Sequence, residues 1–329
     1  MGFVFGQKLI DLLRGKRYGS YIPKTDYHRL FKKIYYPYYR LNDVILEGSS
    51  NLYNEFGEKL EEFFVRDNLS VHYPYRNSRY FYFDRYNYGL KTHFYGNKGI
   101  FEVFANPERK YAFLSESEVM IPGLYNKVLK QEKYMENFDL IFTYSDRILD
   151  KYENARFVPF ASALWNKEIK DDLYQNKTKN ISMLASKKIK CEIHKFRYDL
   201  AFKCKNNHLA DTFGTFDGGR RVEPIDDTLN DYRYTICLEN DIKPYYFSER
   251  FTSALAAQTI PIYLGATEID KFFNPDGIIK ITTKDDIEKV LKQCTKEEYE
   301  RRQPAVLDNY KRVMEYKNPW DYMYLKYLR

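Results

Sequence analysis

The stretch Tyr234–Ile281, YTICLENDIKPYYFSERFTSALAAQTIPIYLGATEIDKFFNPDGIIKI, reads strand, polar loop, helix, strand, and it decides the fold class. Tyr234 to Leu238 and Ile260 to Leu264 are short apolar runs of the kind that form buried strands. Between them Ser248 is a natural N-cap for a helix running to about Gln258, with Phe251, Ala254 and Leu255 on one face. Small residues at Ala254, Ala256 and Ala257 let that helix sit close to a sheet. Arg250 is the odd residue. A cation in a first helical turn opposes the helix dipole, and an anion bound there would account for it. A strand–helix–strand unit with such a helix start is the outline of a nucleotide site, although many units of this shape bind no ligand.

The same alternation extends upstream. Asn180 to Ala185 reads as a strand, His194 to Lys203 as a helix, and Asp211 to Phe216 as a strand ending at Gly218-Gly219, which predicts a parallel sheet. Lys167 to Lys179 is polar and charged and is the best linker candidate. Before it, Leu52 to Phe64 has the pattern of an amphipathic helix. Leu69 to Tyr73, Lys110 to Ser115, Phe138 to Tyr144 and Phe157 to Phe160 read as short strands. Residues 285–316 are mostly helical, with a break expected near Gln303-Pro304. The expected organisation is a first domain over 1–166, a second over 167–300, and a helical tail over 301–329 that could return to the first domain.

The chain has 329 residues, which suits two domains, and 30% of them are charged. With a mean hydropathy of −0.65 and no apolar stretch near the ~20 residues a spanning helix needs, a soluble protein is expected. No secretory pattern opens the chain, and four scattered cysteines suit reduced thiols in the cytoplasm. Nine Lys or Arg against Asp11 and Asp26 place the entire net charge of +7 within residues 1–40. Nucleic-acid binding would put basic residues on the folded body as well, so no nucleic-acid partner is expected. Phe5, Leu9, Leu12 and Leu13 share one helical face of that arm. Such a helix could lie on an anionic membrane surface, making the protein peripheral at the inner face of a membrane, or it could dock on its own domain. The 33 tyrosines and 24 phenylalanines include the runs Tyr35–Tyr39 and Tyr80–Phe83, which are either sugar-stacking platforms or core.

Several chemistries find no pattern here. Cys191-x2-His194 and Cys204-x3-His208 have ligand-like spacings, but a helix of the intervening length spans roughly 14 Å and separates the pairs beyond zinc-bond reach. No metal is expected at these residues. No Ser/His/Asp order, Walker motif, GxGxxG or Asp-x-Asp occurs.

Leu238-Glu239-Asn240, then Tyr246-Phe-Ser-Glu249-Arg250, then Thr259-Ile-Pro261-Ile-Tyr-Leu-Gly265 resembles the signature of the α1,3/4-fucosyltransferases, glycosyltransferase family 10, in its bacterial or viral form. The spacing matches without a gap, and Phe273-Asn274-Pro275 continues it. Upstream, His194-x2-Arg197, the turn from Phe213-Gly214 to Gly219, Phe113-Leu-Ser-Glu116-Ser, Phe138-Asp-Leu-Ile-Phe-Thr-Tyr144 and Val158-Pro159-Phe160 resemble further family segments. The likeness covers about residues 110–282. Ser248 stands where the family has Thr, Arg250 where it has Lys, Leu238 where it has an aromatic, and Phe160-Ala161 where it has Tyr-Gly. The first two keep hydroxyl and charge.

The resemblance implies an α/β GT-B fold, with two Rossmann-like domains facing a central cleft, the first (1–166) acceptor-binding and the second (167–300) nucleotide-sugar-binding. It also implies metal-independent, inverting transfer of L-fucose from a GDP-fucose donor to a glycan or glycolipid acceptor through an α1,3-type linkage, and the basic arm suggests a bacterial surface glycan, such as a lipopolysaccharide O-chain, as that acceptor. Arg197, Arg250 and the amides at the helix start would stabilise the departing GDP, a task suited to the arginine fork. Glu249 would hold the ribose hydroxyls, Asn240, Tyr246 and Ser248 would complete the donor site, and Glu116 would be the general base. Glu118 is the alternative base. Glu249 and Arg250 as a surface ion pair, and Asn240 as a mere turn cap, are the structural alternatives. At the level of function the alternatives are a GT-B transferase for another nucleotide sugar and a non-catalytic glycan- or membrane-associated protein.

Overall fold

A computed structural model describes residues 60–67, 78–84, 89–103 and 105–329. The basic arm 1–40 with its amphipathic face, the Tyr35–Tyr39 run, the expected strand Leu69–Tyr73 and most of the expected helix Leu52–Phe64 lie outside these residues. The chain divides into two discontinuous units. One comprises Met1–Leu114 and Lys133–Phe142, the other Ser115–Glu132 and Thr143–Arg329. The expected junction at 166/167 falls within the second unit, as does the tail 301–329.

In the first unit β1 (Glu61–Asp67), β2 (Phe81–Asp84), β3 (Thr92–Gly96), β4 (Arg109–Phe113) and β5 (Leu140–Thr143) lie in the order β2-β1-β3-β4-β5, and every pairing is parallel. The expected helix through Phe64 is instead β1 over its described end. Phe63, Phe64 and Val65 are consecutive and all buried, which requires an element covered on both faces. A strand between two neighbours meets that need, and an amphipathic helix does not. Phe81 and Tyr82 are likewise buried, so this aromatic run is core.

The second unit carries α1 (Pro122–Lys130), α2 (Asp146–Lys151), β6 (Ala155–Phe157), β7 (Lys179–Ala185), α3 (Glu192–Asn206), β8 (Asp211–Gly214), β9 (Tyr232–Leu238), α4 (Glu249–Ala256), β10 (Ile260–Leu264) and β11 (Ile279–Lys280). Its sheet has the order β11-β10-β9-β7-β8 with all pairings parallel. Ile260 to Leu264 pair in register with Tyr234 to Leu238, so β9-α4-β10 is the strand–helix–strand unit anticipated from the sequence. Ile236, Leu238, Ile262 and Leu264 belong to one core with Met183, Leu200 and Ala201. Every residue of α4 except Arg250 is buried, which its small side chains permit. Both sheets are parallel and α/β, the Rossmann-like class expected.

Three local expectations are corrected. The strand placed at Phe157–Phe160 is Ala155–Phe157, and pairing stops after Val158 because Pro159 has no N–H to donate. The polar segment 167–179 is fastened down rather than loose. Lys167 N donates to Asp226 Oδ2, Tyr174 N to Gln258 Oε1, and buried Lys177 Nζ to Leu229 O, Ala257 O and Thr259 Oγ1. After α5 (Ile287–Lys292), helix α6 (Lys296–Val313) runs unbroken through Pro304. Proline inside a helix costs about 3 kcal/mol. Anchors on both sides oppose that cost: Tyr299 Oη donates to Gln258 O, and the Asn309 amide exchanges two hydrogen bonds with the Asn274 backbone. The last helix, α7 (Pro319–Tyr327), rests on the 157–160 segment, with Trp320 against Phe160 and Tyr327 Oη on Phe157 O.

Candidate active site

The end of β9 and the start of α4 meet through one carboxylate. Glu239 is fully buried, and its Oε1 accepts from Ser248 N at 2.7 Å while its own N–H donates to Leu264 O. Gly265 makes room for it. A Cβ there would come within 2.4 Å of Glu239 Cγ and 2.3 Å of Tyr263 Oη, which explains the glycine that closes the I-P-I-x-x-G element. Glu239 Oε2 is buried and has no hydrogen-bond partner among the described residues, and burial pushes the carboxyl up to about 7 against the opposing pull of Arg250.

Ser248 caps α4 as expected, its Oγ accepting from Arg250 N at 3.4 Å. The four N–H groups of this helix start are all engaged. Ser248 N is taken by Glu239, Glu249 N by Ala161 O, Arg250 N by Ser248 Oγ and Phe251 N by Ser248 O. The expectation that these amides would face a diphosphate is therefore corrected: all four already have protein partners.

Arg250 Nη1 lies 3.5 Å from Glu249 Oε1 and 3.5 Å from Ser248 Oγ, and its side chain is 27% exposed. Burial works against its charge, but Glu249 and Glu239 outweigh that and raise its pKa. Arg197 projects from α3 and is buried. Its Nη1 donates to Leu238 O at 2.8 Å and its Nη2 approaches Asn240 Oδ1 at 3.4 Å. Among the described residues no carboxylate lies within ion-pair distance of Arg197. Burial, and then the neighbouring Arg250, lower its pKa to about 10. Two guanidiniums near one another, one of them without a counter-ion among the described residues, have the chemistry to receive an anion.

Asn240 does more than cap a turn. Lys190 N donates to His194 Nδ1, so His194 carries its proton on Nε2 and donates to Asn240 Oδ1 at 2.8 Å. Burial lowers the His194 pKa, consistent with a neutral ring. With Oδ1 held by His194 and Arg197, the Asn240 Nδ2 group is turned toward other acceptors. Tyr246 is buried, and its ring lies 4.9 Å from that of Tyr144.

Glu116 follows β4. Its carboxylate Oε1 accepts from Ser117 N at 2.9 Å, and its carbonyl accepts from Tyr125 Oη at 2.7 Å. Glu118 is differently placed: its side chain is 8% exposed and pairs with Arg147 and, at 3.5 Å, with Lys243. Two cations thus claim Glu118. The structure brings Arg197, Asn240, Tyr246, Ser248, Glu249 and Arg250 into one cluster, and Glu116 belongs to the same unit. Glu239, His194 and Tyr144 lay inside motifs visible in the sequence, but nothing in those motifs assigned them a task.

Glu239 carries a pH prediction. Its folded pKa of about 7 exceeds the ordinary 4.5, so the folded state binds the extra proton between those values. The stability this contributes is complete below 4.5 and is lost as pH rises through 7. Urea unfolding of Glu239→Gln, which keeps an acceptor for Ser248 N, should show the wild type losing about 3 kcal/mol relative to the variant between pH 4.5 and 8. Parallel pH curves for the two proteins would refute the assignment.

By sequence, residues 174–303 match the family model for the C-terminal domain of glycosyltransferase family 10 (fucosyltransferase). An α-(1,3)-fucosyltransferase of Helicobacter pylori is 32% identical over 63 residues, 19% of this chain and 13% of that protein. A putative fucosyltransferase-like protein of Arabidopsis thaliana is 28% identical over 107 residues, 31% of this chain and 21% of that protein. The matched stretches span well under two thirds of either relative. By structure, an α1,3-fucosyltransferase crystallised with GDP aligns with a TM-score of 0.49 at 15% identity, covering 86% of this chain and 98% of the other.

Proposed function

We propose that this chain, whose residues 174–303 match the C-terminal domain model of glycosyltransferase family 10, moves L-fucose from GDP-fucose to a hydroxyl of a glycan acceptor, inverting the anomeric carbon without a metal. The observation that carries this reading is the pair Arg197, reaching from α3 to the end of β9, and Arg250, at the start of α4, with no carboxylate among the described residues set against Arg197. As the bond from the fucose anomeric carbon to the β-phosphate oxygen breaks, its electron pair stays on GDP, and the two guanidiniums meet that charge. Glu249, loosely held by Arg250, has the acceptor oxygens to take the ribose hydroxyls. Asn240 Nδ2 and the rim of Tyr246 complete the donor site. The acceptor hydroxyl forms the new bond from the opposite face and passes its proton to Glu116. Commitment of Glu118 to Arg147 and Lys243 favours Glu116 for that role.

A panel of GDP- and UDP-sugars, followed by release of free nucleotide from the purified protein, tests the donor. GDP-fucose should turn over fastest. Faster release from another nucleotide sugar would replace fucose as the transferred group, and no release from any would leave a binding protein that kept the fold.

A further inference from the structure

Tyr144 directly follows β5, is fully buried, and reaches both halves of the proposed chemistry within the second unit. Its hydroxyl accepts from Glu118 N at 2.6 Å and donates to Glu116 O at 3.3 Å, so one oxygen clamps both ends of the turn Glu116-Ser117-Glu118. Its ring packs against Tyr246 with centroids 4.9 Å apart and planes at 51°. The loop that carries Tyr246 touches the same turn twice more. Asp241 Oδ2 accepts from Val119 N at 3.1 Å, and Lys243 Nζ lies 3.5 Å from Glu118 Oε2. Burial, reinforced by Tyr125, holds the Tyr144 phenol well above its ordinary pKa, so it remains a neutral hydroxyl and takes no proton-transfer role itself.

We propose that Tyr144 is a positioning residue that fixes the Glu116 turn against the donor loop through Tyr246, so that base and donor are held in one register. This rests on the donor and base assignments above. Removing the hydroxyl takes away two of the bonds that hold the turn, leaving Tyr125 Oη on the Glu116 carbonyl and the ring contact in place, and removing the ring loosens the loop as well. Displacement of a base by a fraction of an ångström to about 1 Å costs up to a hundredfold in rate.

The test compares wild type, Tyr144→Phe and Tyr144→Leu, reading GDP affinity by calorimetry and turnover of GDP-fucose to GDP with water as acceptor. Tyr144→Phe should lower kcat about ten- to a hundredfold with GDP affinity within about twofold of wild type, and should displace the acid limb of the pH–rate profile. Tyr144→Leu should lower both kcat and GDP affinity. Wild-type kcat in Tyr144→Phe, or equal losses of kcat and GDP affinity there, would overturn the proposal. If Tyr144→Phe does not fold, Asp241→Ala cuts the same joint at the surface, and unchanged kcat in that variant would overturn it. Failure of the wild type to bind GDP or turn over GDP-fucose would instead refute the proposed function, leaving the two failures distinguishable.

Discussion

Arg250→Ala is expected to slow GDP release from GDP-fucose by about a hundred- to a thousandfold, the scale of removing one preorganised group that meets developing charge. The geometry accounts for a loss of that size. The helix-start amides are already bonded to Glu239, Ala161 and Ser248, so they cannot substitute for the guanidinium. Arg197 is spent partly on Leu238 O and has its charge disfavoured by burial. Arg250 therefore supplies most of the accessible positive field. Its 3.5 Å contact with Glu249 is loose and partly exposed, so losing it should move the melting temperature little. Arg250→Lys keeps the charge but not the fork and should recover part of the rate. Glu249→Ala should also lose turnover, chiefly through weaker donor binding. Steady-state GDP release from the three variants decides the matter: wild-type rates in both alanine variants would remove the donor site from this cluster.

The part of the fold legible in the sequence is the part whose signals are local. Strand β9, the Ser248 cap, the alanines of α4 and strand β10 lie within about thirty residues, and each reports its own conformation through periodicity or capping. Residues whose state is set from elsewhere in the chain were not legible. EEFFVRD has enough acidic and apolar residues to look like a helix face, and only burial between β2 and β3 makes it a strand. Pro304 signals a helix break that Asn309 and Tyr299, held by Asn274 and Gln258, override. The 167–179 segment has linker composition, yet its polar groups find partners some sixty to eighty positions later in the chain.

The site divides the same way. Arg250 could be picked out by its charge at a helix start, and Arg197 and Glu249 by their places in the fucosyltransferase-like motifs. Glu239 could not, because a carboxylate beside an asparagine says nothing of being fully buried beneath Gly265 with one oxygen unpartnered. The anion-facing role expected of the α4 amides followed from a general rule about helix starts. It fails here because Glu239 and Ala161 O, one contributed by the end of β9 and one by the segment after β6, occupy those donors first.

Glu116→Gln is expected to leave GDP affinity unchanged by calorimetry while lowering turnover by about a hundred- to ten-thousandfold, the usual worth of a positioned general base. The amide preserves size and can still accept from Ser117 N, so the turn held by Tyr125 and Tyr144 through the Glu116 carbonyl should stay in place. What it cannot do is receive the acceptor proton. The control is Glu118→Gln, where the opposite pattern is expected. Loss of that carboxylate's charge leaves the partly exposed Arg147 and Lys243 facing a neutral, buried group, so the variant should lose stability first and turnover only in proportion to the turn's disorder. Normal turnover in Glu116→Gln together with a dead but folded Glu118→Gln would transfer the base to Glu118. Because both residues sit on one three-residue turn, such an exchange would keep the donor site intact and move only the point from which the acceptor hydroxyl approaches it.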